Sequence, residues 1–133
     1  TLVDIGLVQY LCGMSLSDEF KKSDLLTIYH GALAEQFVGQ EILAAGHDDL
    51  FYWSRDAKSS TAEVDYLVTK KGKIIPAEVK SSASGRLRSL HMILNNYKNI
   101  PEGYVLSSAK FAKLPEQNLI FIPIYFTYSI FKN

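Results

Sequence analysis

The sequence predicts an α/β layered domain, a mixed central sheet flanked by helices, and three stretches carry that expectation. A long helical pattern over about 25–45 precedes a compact run of strand-like segments between 50 and 80. Within that run, "EVDYLVTKKGKIIPAEVKSS" (63–82) alternates apolar and polar residues on either side of Lys71-Gly72, as a hairpin does. A second helical pattern at 86–97 is followed by the apolar stretch "GYVLSS" (103–108). Helix, three strands, helix, then one or two strands is a layered arrangement. It lacks the strict strand–helix alternation of a doubly wound nucleotide-binding sheet.

Each element has a local reason. Residues 1–14 can form a short helix or buried segment, and a Ser/Asp/Lys-rich connection follows at 15–24. Ser23 or Asp24 can cap the long helix, and Gly46 stands where a C-terminal glycine stop belongs. "LFYWSR" (50–55) reads as a strand from its aromatic content, and "DAKSST" as a polar loop. The hairpin strands are expected at about 63–70 and 73–80. "SSASG" offers capping hydroxyls, and Leu87, Leu90, Ile93 and Leu94 give the second helix its apolar face. After the turn at Pro101-Glu102-Gly103 come the strand at 103–108, another near 118–122 and a short terminal helix or extended piece.

The 133 residues, 47% apolar and 21% charged, have an ordinary globular composition. A single domain over 1–133 is expected, with 1–24 a lead-in and 25–133 the core. The opening on "TLVDIGLVQYL" without a methionine predicts a C-terminal piece of a longer protein. The lone Cys12 excludes an internal disulfide and fits a reducing, cytoplasmic setting. The longest apolar run, "LIFIPIYF" (119–126), is far short of the roughly 20 residues of a spanning helix, so no membrane role is expected.

Formal net charge is zero, but it is unevenly spread. Residues 1–54 hold eight acidic against two basic side chains, whereas 55–88 hold eight basic against four acidic. Positive charge therefore gathers around the hairpin, a weak hint of an anionic ligand. His30, His47 and His91 are scattered and cannot combine with one cysteine into a zinc motif. No glycine-rich phosphate loop is present.

The hairpin contains the one constellation with chemical content. A two-residue turn at Lys71-Gly72 pairs Lys70 with Lys73 and so sets Asp65 opposite Glu78. Leu67, Thr69, Ile74, Pro76 and Lys80 share their face, while Val64, Tyr66, Val68, Ile75, Ala77 and Val79 form an apolar face. Like charges directly opposed across a ladder are destabilising. Lys80 can offset one of them, and a divalent cation can bind both. On the long helix, Glu35 falls among Gly31, Ala32, Val38, Gly39 and Ile42, where a buried carboxylate needs a partner. Taken singly, Asp65 or Glu78 reads as a salt-bridged strand carboxylate, and Glu35 equally as an ion-pair partner of Arg55 or Lys80. Taken together, helix glutamate, strand aspartate and Glu-x-Lys form a more specific pattern.

That pattern resembles the PD-(D/E)XK, or restriction-endonuclease-like, nuclease superfamily, whose core is an αβββαβ unit. More closely, "YHGALAEQFVGQEIL", "FYWSR", "AEVDYLV" and "IIPAEVKSS" resemble the domain-of-unknown-function family that follows AAA-type ATPase domains in bacteria and archaea. "VDIGLVQYLCGM" is similar to the start of that family's domain. The resemblance implies Glu35, Asp65, Glu78 and Lys80 as catalytic residues. It implies Mg²⁺, or Mn²⁺, held by Asp65, Glu78, Glu35 and the Val79 carbonyl, with lysine orienting water. It implies DNA as substrate and the chain's own N-terminal ATPase domain as partner.

One element departs from the RecB-like members: Ile93 stands four residues before Tyr97, where those nucleases carry glutamine. Arg86 and Arg88 at the second helix's start are expected either to hold a backbone phosphate or to be plain exposed arginines. Arg55 and Lys58 complete the expected nucleic-acid-binding set. Tyr52 and Trp53 are expected either to stack on bases or, more simply, to be core. A non-catalytic module binding nucleic acid or protein is the competing expectation. A toxin–antitoxin-like or signalling domain is more remote.

Overall fold

The computed structural model describes residues 4–11, 24–57, 60–81 and 87–132. Helices α1 (Ile5–Leu11) and α2 (Asp24–Ala44) lead into strands β1 (Phe51–Ala57), β2 (Ser60–Lys70) and β3 (Lys73–Val79). Helix α3 (Arg88–Asn96) then precedes β4 (Gly103–Ser107), β5 (Ala112–Leu114) and β6 (Leu119–Pro123), and α4 (Thr127–Phe131) closes the chain. The six strands form one mixed sheet in the order β1-β2-β3-β4-β6-β5. The β1/β2, β2/β3 and β5/β6 pairs are antiparallel, and β3/β4 and β4/β6 are parallel. The α/β class with a mixed sheet is therefore observed, and none of the described helices is long and apolar enough to cross a membrane.

Lys71 and Gly72 adopt positive φ angles of 50° and 75°, the backbone a tight hairpin turn demands. Their turn sets the expected register, from Lys70↔Lys73 to Tyr66↔Ala77. On β2's other edge the register slips by one: Phe51 faces Leu67 but Trp53 faces Val64. Tyr52 alone thus spans Asp65 and Tyr66, a β-bulge on β2.

The bulge corrects the expected face pattern. Tyr66, Val68, Ile75, Ala77 and Val79 pack against one apolar cluster with Val38 and Ile42 of α2 and Phe131 of α4. Val64, expected beside them, instead joins Leu67, Leu90 and Ile93 in the cluster under α3. An extra residue between Val64 and Leu67 restores both to one face, which simple alternation forbids. Two further expectations change. Helix α3 begins after Leu87 without a side-chain cap, and the hydroxyl-rich segment meant to cap it lies largely outside the described residues. The three-residue β5 was not expected at all.

Candidate functional site

Asp65, Glu78, Lys80 and Glu35 come together where β2 and β3 part. The β2/β3 ladder ends at Tyr66↔Ala77, so Asp65 and Glu78 are not ladder partners as the register alone suggested. On its other edge β3 pairs with β4, through Ala77↔Tyr104, Glu78↔Val105 and Val79↔Leu106. The Val79 N–H, left without a backbone acceptor on β2, donates to Asp65 Oδ2 at 2.6 Å. The bulge gives Asp65 this reach: its carboxylate takes over a ladder bond that the diverging strand has given up. In an extended strand, N–H and C=O of one residue project to the same edge, so the Val79 carbonyl also faces the Asp65 side.

Glu78 is 7% exposed, and its Oε1 accepts a hydrogen bond from Lys80 Nζ at 2.6 Å. The lysine is held in turn by its backbone N–H, which donates to the Leu106 carbonyl at 2.8 Å. Lys80 thus extends the β3/β4 ladder by one bond. Glu78 Oε2 is buried and has no hydrogen-bond partner. A buried carboxylate oxygen without a donor is costly, by about 1–3 kcal/mol or more for a charged group.

The electrostatics point the same way. Burial raises the Glu78 carboxyl above its ordinary range, the Lys80 hydrogen bond lowers it, and the negative charges of Asp65 and Glu35 raise it further. Burial likewise raises Asp65 against the opposing pull of the Val79 N–H and Lys80. Glu35 was expected to be buried among small residues, and this is corrected: the residue is exposed. Its carboxyl is nonetheless raised, first by partial desolvation where α2 meets the sheet, then by Asp65 and Glu63, with Lys80 opposing. Neither expected salt bridge of Glu35, to Arg55 or to Lys80, forms: Arg55 lies by Met92 Sδ at 3.6 Å, and Lys80 pairs with Glu78.

Glu63, not singled out from the sequence, adds a fourth negative charge that raises both Glu35 and Asp65. Its position two residues before Asp65 was the available signal. Tyr66 was taken only as an apolar-face residue, yet its hydroxyl donates to the Glu35 carbonyl at 2.8 Å.

As cation donors, Asp65 and Glu78 each have one oxygen engaged by a protein hydrogen bond. That leaves Glu78 Oε2 and the second oxygen of Asp65 for a ligand. Among the described residues, no three His, Cys, Asp or Glu side chains converge as a ready ligand set. The donor chemistry fits a hard, oxygen-seeking divalent ion at two carboxylates, with Glu35 further out.

Of the expected phosphate-binding residues, Arg55 and Arg88 are not among the charges that act on these carboxyls. Arg55 and Arg88 are exposed on β1 and at the start of α3, while Arg86 and Lys58 lie outside the described residues. Of the neighbouring aromatics, Trp53 packs against the α3 cluster and Tyr52 is 65% exposed.

The family model described as "Domain of unknown function (DUF4143)" matches residues 30–126. The chain belongs to that family. No curated protein and no solved structure matches it. The matched span of the DUF4143 domain contains all four clustered residues, and α4 lies beyond it.

Proposed function

We propose that this DUF4143 domain is a nuclease-like module of the restriction-endonuclease-like class. It hydrolyses phosphodiester bonds of DNA with Mg²⁺ or Mn²⁺ and works beside an AAA-type ATPase domain. The order α2-β1-β2-β3-α3-β4 supports the αβββαβ reading of its core. One observation carries the proposal: the partnerless, buried Oε2 of Glu78 beside a second desolvated carboxylate. Four acids against one lysine make an excess of negative charge that a divalent cation relieves.

Asp65 and Glu78 are the residues that would hold the ion, with Glu35 and the Val79 carbonyl as further oxygens. When bound, the ion supplies charge compensation at the phosphoryl oxygens and acidifies a water. The chain's own groups do the rest. Lys80, its side chain 26% exposed, would donate to a phosphate oxygen or orient water. Glu35, exposed and with a raised carboxyl, would accept a proton from attacking water. Asp65 keeps its orientation through the Val79 N–H.

The test is cleavage of end-labelled DNA, with RNA alongside, with and without Mg²⁺ or Mn²⁺, by the wild-type chain and by Asp65→Ala and Lys80→Ala. Loss of at least about 10²-fold in either variant is expected. Cleavage that persists at the wild-type level in both assigns the activity elsewhere. The short Lys80–Glu78 bond favours one other reading, a nucleic-acid- or protein-binding module that keeps this cluster without chemistry. A wild-type chain that binds DNA with affinity falling steeply in salt, yet never cleaves it, supports that reading for nucleic acid.

A further inference from the structure

We infer that Tyr66 is a positioning residue which, with Gly39, seats helix α2 on the β2 bulge and thereby sets the separation of Glu35 and Asp65. The inference rests on the two-carboxylate site proposed above. Two observations support it. First, the bulge places Asp65 and Tyr66 consecutively opposite Tyr52, so one local distortion re-aims both side chains. Asp65 turns to the Val79 N–H, and the Tyr66 hydroxyl reaches the Glu35 carbonyl. One irregularity thus fixes the aspartate directly and the glutamate through its own backbone.

Second, the bonded carbonyl lies one helical turn before Gly39, and the ring needs that glycine. A Cβ built on Gly39 would stand 2.9 Å from Tyr66 Oη, 3.2 Å from Leu50 Cδ1 and 3.5 Å from Tyr66 Cζ. Glycine in a helix interior costs roughly 1 kcal/mol against alanine, so its presence needs a spatial reason. The closest atom it clears is the hydroxyl that holds Glu35.

The geometry makes Tyr66→Phe and Gly39→Ala opposite kinds of probe. The first removes the hydrogen bond and leaves the ring. The second forces hydroxyl and helix apart. In Gly39→Ala/Tyr66→Phe the nearest obstruction is gone, leaving Leu50 Cδ1 at a tight 3.2 Å and the ring carbon at ordinary contact distance. The pair is therefore expected to be non-additive: Gly39→Ala lowers the melting temperature, and adding Tyr66→Phe restores part of the loss. Strict additivity overturns the close approach on which the inference depends.

Position is read in two further ways. Mn²⁺ affinity, from electron paramagnetic resonance of the free ion, is expected to fall about tenfold in Tyr66→Phe, as for other residues that orient ligands. Val68→Ala, a core truncation on the same strand, controls for stability: it lowers the melting temperature and leaves Mn²⁺ affinity unchanged. Equal losses of affinity in the two variants would make Tyr66 merely structural. Crystal structures of wild type, Tyr66→Phe and Gly39→Ala give the Glu35–Asp65 separation directly. A change of about 1 Å is expected, enough to matter for a reacting geometry. A wild-type chain that binds no Mn²⁺ sinks the two-carboxylate reading alone. The positioning role is then judged by the separation, and an unchanged separation in both variants overturns it.

Discussion

Glu78 and Asp65 sit in conflict with their surroundings, and that conflict makes a stability prediction. Each carboxyl is raised by burial above its ordinary value. For an acid whose folded value exceeds its unfolded one, the folded chain binds more protons between the two. Stability is then greatest below the unfolded value and falls as pH rises through the folded one. Asp65→Asn removes the charge but retains an oxygen to accept the Val79 N–H. It also relieves Glu78 of a neighbouring negative charge. The variant is expected to be more stable than wild type by about 1 kcal/mol at neutral pH, the usual scale of a single stabilising substitution. That gain should shrink as pH falls into the range where wild-type Asp65 is itself protonated. Urea midpoints at pH 7 and pH 4.5 measure it. A variant less stable at pH 7, or a gain that grows toward acid, contradicts the assignment.

At the scale of the element, the hairpin shows which features a sequence carries and which it conceals. The turn was legible because Lys71-Gly72 interrupts two alternating runs, and two turn residues fix every later pair of that ladder. The bulge was not. It arises from β2's pairing with β1, a separate strand, and neither glycine nor proline marks Asp65-Tyr66. Val64 was consequently assigned to the wrong face, and Glu35's exposure could not be read from its helical neighbours alone. The three residues of β5 are too few to show a period. The turn also supplies a prediction. Lys71 occupies a left-handed conformation that asparagine adopts more readily. Lys71→Asn is expected to raise stability by about 0.5–1 kcal/mol, and Gly72→Ala to lower it by at least that much. Thermal melts of both variants check the pair. A destabilised Lys71→Asn would mean that the lysine side chain contributes more than its backbone strain costs.

The whole molecule depends on closing the sheet's α2 face at the chain's far end. Helix α4 is only five residues long, too short to persist by its own hydrogen bonds, so packing must hold it. Phe131 is 1% exposed and lies in the cluster with Val38, Ile42 and Ala77. Its ring meets Tyr104 at 5.7 Å and the His47 imidazole edge-on at 6.5 Å. His47 Nε2 also lies 2.9 Å from the Phe131 carbonyl, tying the loop after α2 to the last helix. Helix α2, which carries Glu35 over the sheet, is therefore secured at its C-terminal end by residues beyond the family match. Phe131→Ala is expected to destabilise the chain by about 3–5 kcal/mol, the cost of emptying a large buried aromatic site. Because Glu35 reaches the sheet through α2, the same substitution should raise amide exchange along α2 more than along α3, which packs on the opposite face. Hydrogen exchange followed by mass spectrometry separates the two. Equal deprotection of both helices would mean that the layers unfold as one unit, and that α4 does not selectively hold the helix bearing Glu35.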